Sequence, residues 1–239
     1  MDEKMVHSSE RLLKLLESAD KQDMDILIRY NYGEYRNVSP EELTKTILAN
    51  GSHDIGRQLW GQAHYLEIVR DVADRFQVKW HTDDDEHIIE SRLIAEVFQQ
   101  SWQKMAPADQ AAFHKAFGHS RTDSERLSRA LIDGAFYDFL PATGYLVIWN
   151  ITRMIAAAAA REAGIFTLEG LMGSFVAGLL GPLGIVAGVV ILMTSLAGPA
   201  YRKTIPTVIQ IAYIRQKSRL QEKAAALPTN SSPEADSPR

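Results

Sequence analysis

The sequence predicts an all-α protein: a single multi-helix domain wrapped around a glycine-rich apolar helical hairpin. Three observations carry that prediction. Apolar residues in the first 140 positions recur at spacings of three and four, with almost no strict alternation, which favours amphipathic helices over strands. Helix-start residues recur between these runs, above all Ser39-Pro40-Glu41-Glu42. Finally, Gly170 to Tyr201 is a 32-residue stretch without a charged side chain, punctuated by Gly-Pro pairs.

The elements follow in order. Ser8 and Ser9 read as caps for a helix carrying Leu12, Leu13, Leu15 and Leu16, and Asp23 to Tyr30 continues with Ile26, Leu27 and Ile28. In Ser39-Pro40-Glu41-Glu42 the serine is the N-cap, the proline occupies the first helical position, and a glutamate stands at the third in a capping box. Asn50-Gly51 reads as the matching stop. Ser52 then opens one long helix through Leu59, Trp60, Tyr65, Ile68, Val69 and Val72 to about Phe76. Thr82-Asp83-Asp84-Asp85 precedes a helix from Glu86 to about Lys104, with Ile88, Ile89, Leu93, Ile94, Val97 and Phe98 inside. Pro107 begins a short helix ending near Gly118, Thr122-Asp123-Ser124-Glu125 begins another that ends before Pro141, and helix formers dominate Tyr145 to Ala163. A helix over 200–225 follows the apolar block, and the proline- and serine-rich tail 227–239 reads as disordered.

The grammar of the uncharged block favours a hairpin over a membrane span. Gly181-Pro182 interrupts it and Gly198-Pro199 closes it, leaving 15 residues from Leu183 to Ala197. At 1.5 Å per residue that helix is about 22 Å long, short of the ~30 Å hydrocarbon core of a bilayer. Seven glycines in the block each cost about 1 kcal/mol against alanine in a helix interior. The spacing of Gly184 and Gly188, and of Gly173 and Ala177, forms small-residue faces on which helix backbones approach closely. Three readings stay open: a buried hairpin, stable membrane insertion, and a conditional state that exposes the hairpin to lipid or to a partner.

Basic residues frame this block. Arg153 and Arg161 precede it, Arg202 and Lys203 directly follow it, and Arg215, Lys217 and Arg219 end the apolar stripe from Ile205 to Ile214. Cations beside an apolar face suit anionic lipid headgroups, at about 1 kcal/mol for each Lys or Arg near the surface. The plain alternative is that they solvate helix ends and complement helix dipoles. The candidate lipid- or partner-binding set is therefore Arg153, Arg161, Tyr201, Arg202, Lys203 and Arg215, with Phe175, Leu179, Leu183, Ile185 and Val189 as the apolar contact positions.

Charge and composition narrow the function classes. Residues 1–100 hold 12 Lys+Arg against 20 Asp+Glu, residues 101–200 hold 7 of each, and residues 201–239 hold 7 against 3. Most of the surface would repel phosphates, so nucleic acid is not an expected partner. The absence of cysteine excludes disulfides, thiolate zinc sites and a cysteine nucleophile. The polar start, Met1 to Glu10, has no apolar signal-peptide region and suggests the cytoplasm. His81-Thr82-Asp83-Asp84-Asp85-Glu86-His87 gathers six potential metal ligands, yet acidic residues at a helix start are explained by capping and the dipole. His53-Asp54 lacks a nucleophile with a recognisable setting, and no phosphate loop, dinucleotide fingerprint or G-x-S-x-G occurs. A protein without catalytic residues, cofactor or metal is expected.

Two stretches carry a resemblance: Ser101-Trp102-Gln103-Lys104-Met105, and above all Ala200-Tyr201-Arg202-Lys203-Thr204-Ile205-Pro206-Thr207-Val208-Ile209-Gln210-Ile211-Ala212. They resemble the signature stretches of the bacterial YaaW family, and the Gly181-Pro182 turn fits the same pattern. The likeness runs from about residue 35 to 218. It divides the chain into N-terminal helices (1–34), a YaaW-like helical domain (35–226) with its apolar hairpin at 170–200, and the tail (227–239). The chain is also similar to the sensor of the Juk system, an immune pair directed against nucleus-forming jumbo phages. That resemblance implies a cytoplasmic antiphage sensor that recognises an early phage-derived vesicle and recruits a second protein, the effector. It implies no catalytic residues.

Overall fold

A computed structural model of the chain describes residues 3–54, 63–103 and 201–226, with a few single positions at 106–111 and 155–159. The described residues form six helices and no strand: α1 (Glu3–Ser18), α2 (Lys21–Tyr32), α3 (Pro40–Asp54), α4 (Tyr65–Arg75), α5 (Glu86–Gln103) and α6 (Tyr201–Ala226). The all-α class is as the periodicity predicts. Within the stretch 145–163, Ile155, Ala156 and Ala159 are described, and they are helical and buried in the same core.

The starts of α3 and α5 fall where their sequences place them. Ser39 Oγ accepts the Glu42 amide at 3.2 Å. The Ser39 hydroxyl's hydrogen bond to Glu41 holds that carboxyl below its ordinary range, so the serine engages both glutamates. α5 begins at Glu86, directly after the acidic run. α2 has a cap that the periodicity does not reveal: Asp20 accepts the Asp23 amide at 2.9 Å. Gly33 closes α2 in the left-handed region (φ 81°) and donates its N–H to Arg29 O at 2.9 Å.

Three expectations about the first 76 residues are corrected. Ser8 and Ser9 do not cap their own helix, because α1 already begins at Glu3. They cap α4 instead: Ser9 Oγ accepts the Tyr65 amide at 3.2 Å and Ser8 Oγ accepts the Leu66 amide at 3.0 Å. Asn50-Gly51 does not stop α3, which runs on to Asp54. Gly51 is needed for close approach: a Cβ there would lie 2.5 Å from Ile68 Cγ1, so α3 and α4 meet where the side chain is missing. Nor does Ser52 open a helix reaching Phe76. It lies inside α3, donates to Leu48 O at 2.7 Å and accepts the Ala63 amide at 2.7 Å, while α4 starts separately at Tyr65. Leu59 and Trp60 lie outside the described residues.

α6 is the axis of the described helices. It packs against α2, α3, α4 and α5, while α1 covers α3 and α4 from outside. Every residue from Thr204 to Ala212 is buried, so this stretch has no solvent face, as expected of a helix surrounded on all sides. Pro206 lies within that stretch; lacking an N–H, it leaves the Arg202 carbonyl without its intrahelical donor. Leu12, Leu16, Leu27, Leu43, Tyr65, Leu66, Ile68, Phe76, Ile89, Leu93 and Ile94 are the largest fully buried side chains among the described residues. The helix whose apolar stripe ends in Arg215, Lys217 and Arg219 is thus the centre of the described residues. The hairpin expected at 170–200, the helix expected from Thr122 to before Pro141, and the tail lie outside the described residues; of the helix expected from Pro107 to near Gly118, residues 107, 108 and 111 are described and helical.

Candidate functional site

The polar residues of α6 divide it into two seams and an open end. Along the first seam α6 runs antiparallel to α2. Lys203 Nζ donates to Asn31 O at 3.1 Å, Asn31 Nδ2 donates to Thr207 Oγ1 at 3.1 Å, and Gln210 Nε2 donates to Asp23 Oδ1 at 3.1 Å. Lys217 completes the series by pairing with Asp20 and, at 2.7 Å, with Asp23 Oδ2. Asn50 Nδ2 donates to Asn31 Oδ1 at 2.9 Å, tying α3 into the same seam. Positions 203, 207, 210 and 217 share one helical face by their spacing, so a single polar stripe on α6 fixes its register against α2.

The second seam is a chain of alternating charges reaching four helices. Arg215 Nε donates to Glu90 Oε2 at 2.7 Å and Arg215 Nη2 to Glu90 Oε1 at 3.2 Å, a bidentate pair. Tyr65 Oη donates to the same Oε1 at 2.7 Å. On its other side, Arg215 Nη1 lies 3.7 Å from Glu86 Oε1, and Glu86 is gripped by Arg11 through bonds of 2.7 and 2.6 Å. The side chains of Glu86, Glu90 and Arg215 are 1%, 2% and 12% exposed.

The carboxylates of this chain respond differently to burial. Burial opposes the charge of Glu86, but the Arg11 hydrogen bond and the Arg215 charge outweigh it and hold the carboxyl below its ordinary value. For Glu90 burial dominates and raises the pKa, against the opposing pull of Arg215 and the Tyr65 hydroxyl. Burial also pushes the Tyr65 hydroxyl up, reinforced by the Glu90 charge, so it remains a donor. His87 beside them is pushed down by burial and by the charges of Arg219 and Arg215, which favours neutral imidazole.

The acidic run 81–87 is divided among structural partners. Asp84 accepts the His81 amide at 2.7 Å and pairs with Arg92, while Glu86 belongs to the second seam. Among the described residues no three His, Asp or Glu side chains converge on a position that could hold a metal ion.

Of the candidate contact residues, Tyr201, Arg202, Lys203 and Arg215 are described. The first three stand together at the N-terminus of α6: Arg202 and Lys203 are exposed, and Tyr201 is half-buried with its hydroxyl donating to Asp71 Oδ1 at 3.4 Å. Arg215 is not with them. Its guanidinium is turned into the core and held by Glu90, fourteen residues further along the helix. Arg153, Arg161, Phe175, Leu179, Leu183, Ile185 and Val189 lie outside the described residues. No described helix is long and apolar enough to cross a membrane.

Sequence reasoning missed Glu86, Glu90, Tyr65 and Arg11, although a signal was present. Positions 86, 90, 93, 94 and 97 share a helical face, so two carboxylates stand among Leu93, Ile94 and Val97 and require buried partners.

Comparisons with known proteins find several relatives. A UPF0174 protein of Helicobacter pylori strain J99 is 24% identical over 234 residues, spanning 87% of this chain and 90% of its own length. A second protein of that name and strain is 23% identical over 200 residues, 80% of this chain and 93% of its own length. UPF0174 protein YaaW of Escherichia coli strain K12 is 31% identical over 170 residues, 70% of this chain and 66% of its own length. No family model matches the chain, and no solved structure matches it. On the strength of these relatives, the chain belongs to the UPF0174 family, that of YaaW.

Proposed function

We propose that the chain is a non-enzymatic antiphage sensor. It meets an anionic lipid or phage-derived vesicle surface with the uncharged stretch 170–200 and the Arg202–Lys203 pair, and it recruits a second defence protein, the effector. In this reading it is a cytoplasmic protein that moves to a membrane or vesicle surface on infection. The observation that supports it is the contrast along α6. The downstream cations Arg215 and Lys217 are bound by carboxylates of the fold, whereas Arg202 and Lys203, which directly follow the uncharged stretch, are exposed. Exposed cations adjoining an apolar segment suit a surface that offers headgroup charge and hydrocarbon together. The antiphage part of the reading rests on the resemblance to the Juk sensor.

Vesicle flotation tests the lipid step. Full-length protein should float with phosphatidylglycerol-containing vesicles and much less with phosphatidylcholine alone, and Arg202→Glu with Lys203→Glu should lower the floating fraction. Absence of flotation by folded protein with either vesicle overturns lipid recognition. Co-purification of a defined polypeptide without lipid would point instead to a chaperone-like protein-binding module. Extraction from cells only with detergent would point to an integral or pore-forming protein.

A further inference from the structure

Asn50-Gly51 is the one Asn-Gly pair in the chain, and each of its residues answers a separate demand of the fold. Gly51 stands where any Cβ would collide with Ile68 of α4. Asn50 supplies a donor that its neighbour requires. Asn31, buried on α2, commits its Nδ2 hydrogens to Leu27 O at 2.9 Å and Thr207 Oγ1 at 3.1 Å. Its Oδ1 is left as an acceptor, and Asn50 Nδ2 donates to it at 2.9 Å. The Asn31 amide thus joins α2, α3 and α6, and the α3 part of that junction is the side-chain amide of Asn50.

We propose that Asn50 is a deamidation site gated by the fold: the helical end of α3 and the bond to Asn31 protect it, and its conversion to an acid loosens the α2–α3–α6 junction for good. Asparagine is a thermolabile residue, and a following glycine has no side chain to obstruct attack on Cγ. In the reaction the Gly51 nitrogen loses its proton and bonds to Asn50 Cγ, the Cγ–Nδ2 bond breaks, and Nδ2 leaves as ammonia. Water then opens the cyclic imide at one carbonyl or the other, giving aspartate or isoaspartate, with no oxidant or cofactor involved. α3 stays helical to Asp54, and helix geometry commits the Gly51 N–H to the carbonyl four residues back while holding the Asn50 backbone away from the cyclic form. An aspartate at position 50 has no hydrogen for Asn31 Oδ1, so two acceptors face one another. Turning the Asn31 amide over sets its Oδ1 against the Leu27 carbonyl instead, which exchanges one unmet pair for another. Isoaspartate also adds a methylene to the main chain, which breaks the helical ladder at this turn.

Peptide mass spectrometry of the full-length chain, aged at mildly alkaline pH, reads the site as the mass gain of an amide exchanged for an acid at Asn50. Conversion should be at least about tenfold slower in the native chain than in urea, and faster in folded Asn31→Ala than in folded wild type. Equal rates in either comparison overturn the gate, and no conversion in urea overturns the site. Asn50→Ser cannot form the imide and should abolish the mass gain at this position. The loosening is read by urea unfolding of Asn50→Asp against Asn37→Asp, which makes the same charge change at an exposed residue of the α2–α3 connection. The midpoint of Asn50→Asp should fall below that of Asn37→Asp, and equal midpoints overturn the structural consequence. If Asn50→Asp does not fold, limited proteolysis of aged wild type decides: converted chains should be cut first, and cutting at equal rates overturns the same point.

Discussion

The two ends of α6 carry the same kinds of side chain and put them to opposite uses. At the C-terminal half, Arg215 and Lys217 are enclosed by Glu86, Glu90, Asp20 and Asp23. At the N-terminus, Arg202 is exposed, and Lys203, also exposed, reaches a carbonyl rather than a carboxylate. What separates them is the set of carboxylates on the opposing helices. α2 and α5 present acids at their N-terminal ends, where capping and dipole favour them, and the antiparallel run of α6 along α2 brings Lys217 to that end. A cation near an apolar stripe is therefore available to a partner only where the fold has not already neutralised it.

The largest way to break this contrast is at Arg215. Arg215→Met leaves Glu90 buried beside Tyr65 without its ion partner, and should cost about 3–5 kcal/mol in urea unfolding. Adding Glu90→Gln should recover part of that loss; a cost below about 1 kcal/mol for the single variant would mean that the buried seam does not hold α6 in place. Lys217→Met comes next. Lys217 is partly exposed and its removal leaves Asp23 with Gln210, so about 1–2 kcal/mol is expected by the same measurement.

Titration sharpens the comparison further. The Glu86 pKa is lowered in the fold, so its contribution is present above the ordinary value of 4.5 and lost as pH falls through the folded value. Arg11→Met removes the hydrogen bond that lowers it, and the acid limb of the stability curve should become shallower. Lys217 has the opposite sense: its pKa is raised by Asp20 and Asp23 against burial, so its contribution holds at neutral pH and is lost as pH rises through the folded value, above 10.5. The smallest effect belongs to the open end. Arg202→Glu should change stability by less than about 0.5 kcal/mol while still weakening vesicle flotation, and a larger loss would assign Arg202 to the fold.

Local signals carried much of the fold and little of the seams. Ser39-Pro40 and the Thr82–Asp85 run placed the starts of α3 and α5, because capping is decided within four residues. Gly51 misled for a tertiary reason, since its missing side chain makes room for Ile68 on another helix. Ser8 and Ser9 misled similarly: their acceptors serve amides 58 and 56 residues away. Arg215 looked like a surface cation because its partner Glu90 is 125 residues distant in sequence. Only the pattern of carboxylates within the α5 core face hinted that such a partner was required.

The central position of α6 has a consequence for how the protein is made. α1 to α5 leave the ribosome first, with the surfaces that will enclose α6 still uncovered and Glu86 and Glu90 still lacking Arg215. At about 5–20 residues per second, roughly ten seconds pass between the emergence of α5 and that of α6. Through that interval the faces of α2, α3, α4 and α5 that pack on α6 lack that partner. α6 then docks through contacts separated by as many as 197 residues, which favours slow, late consolidation. A growing chain of this kind cannot complete its described core until α6 arrives.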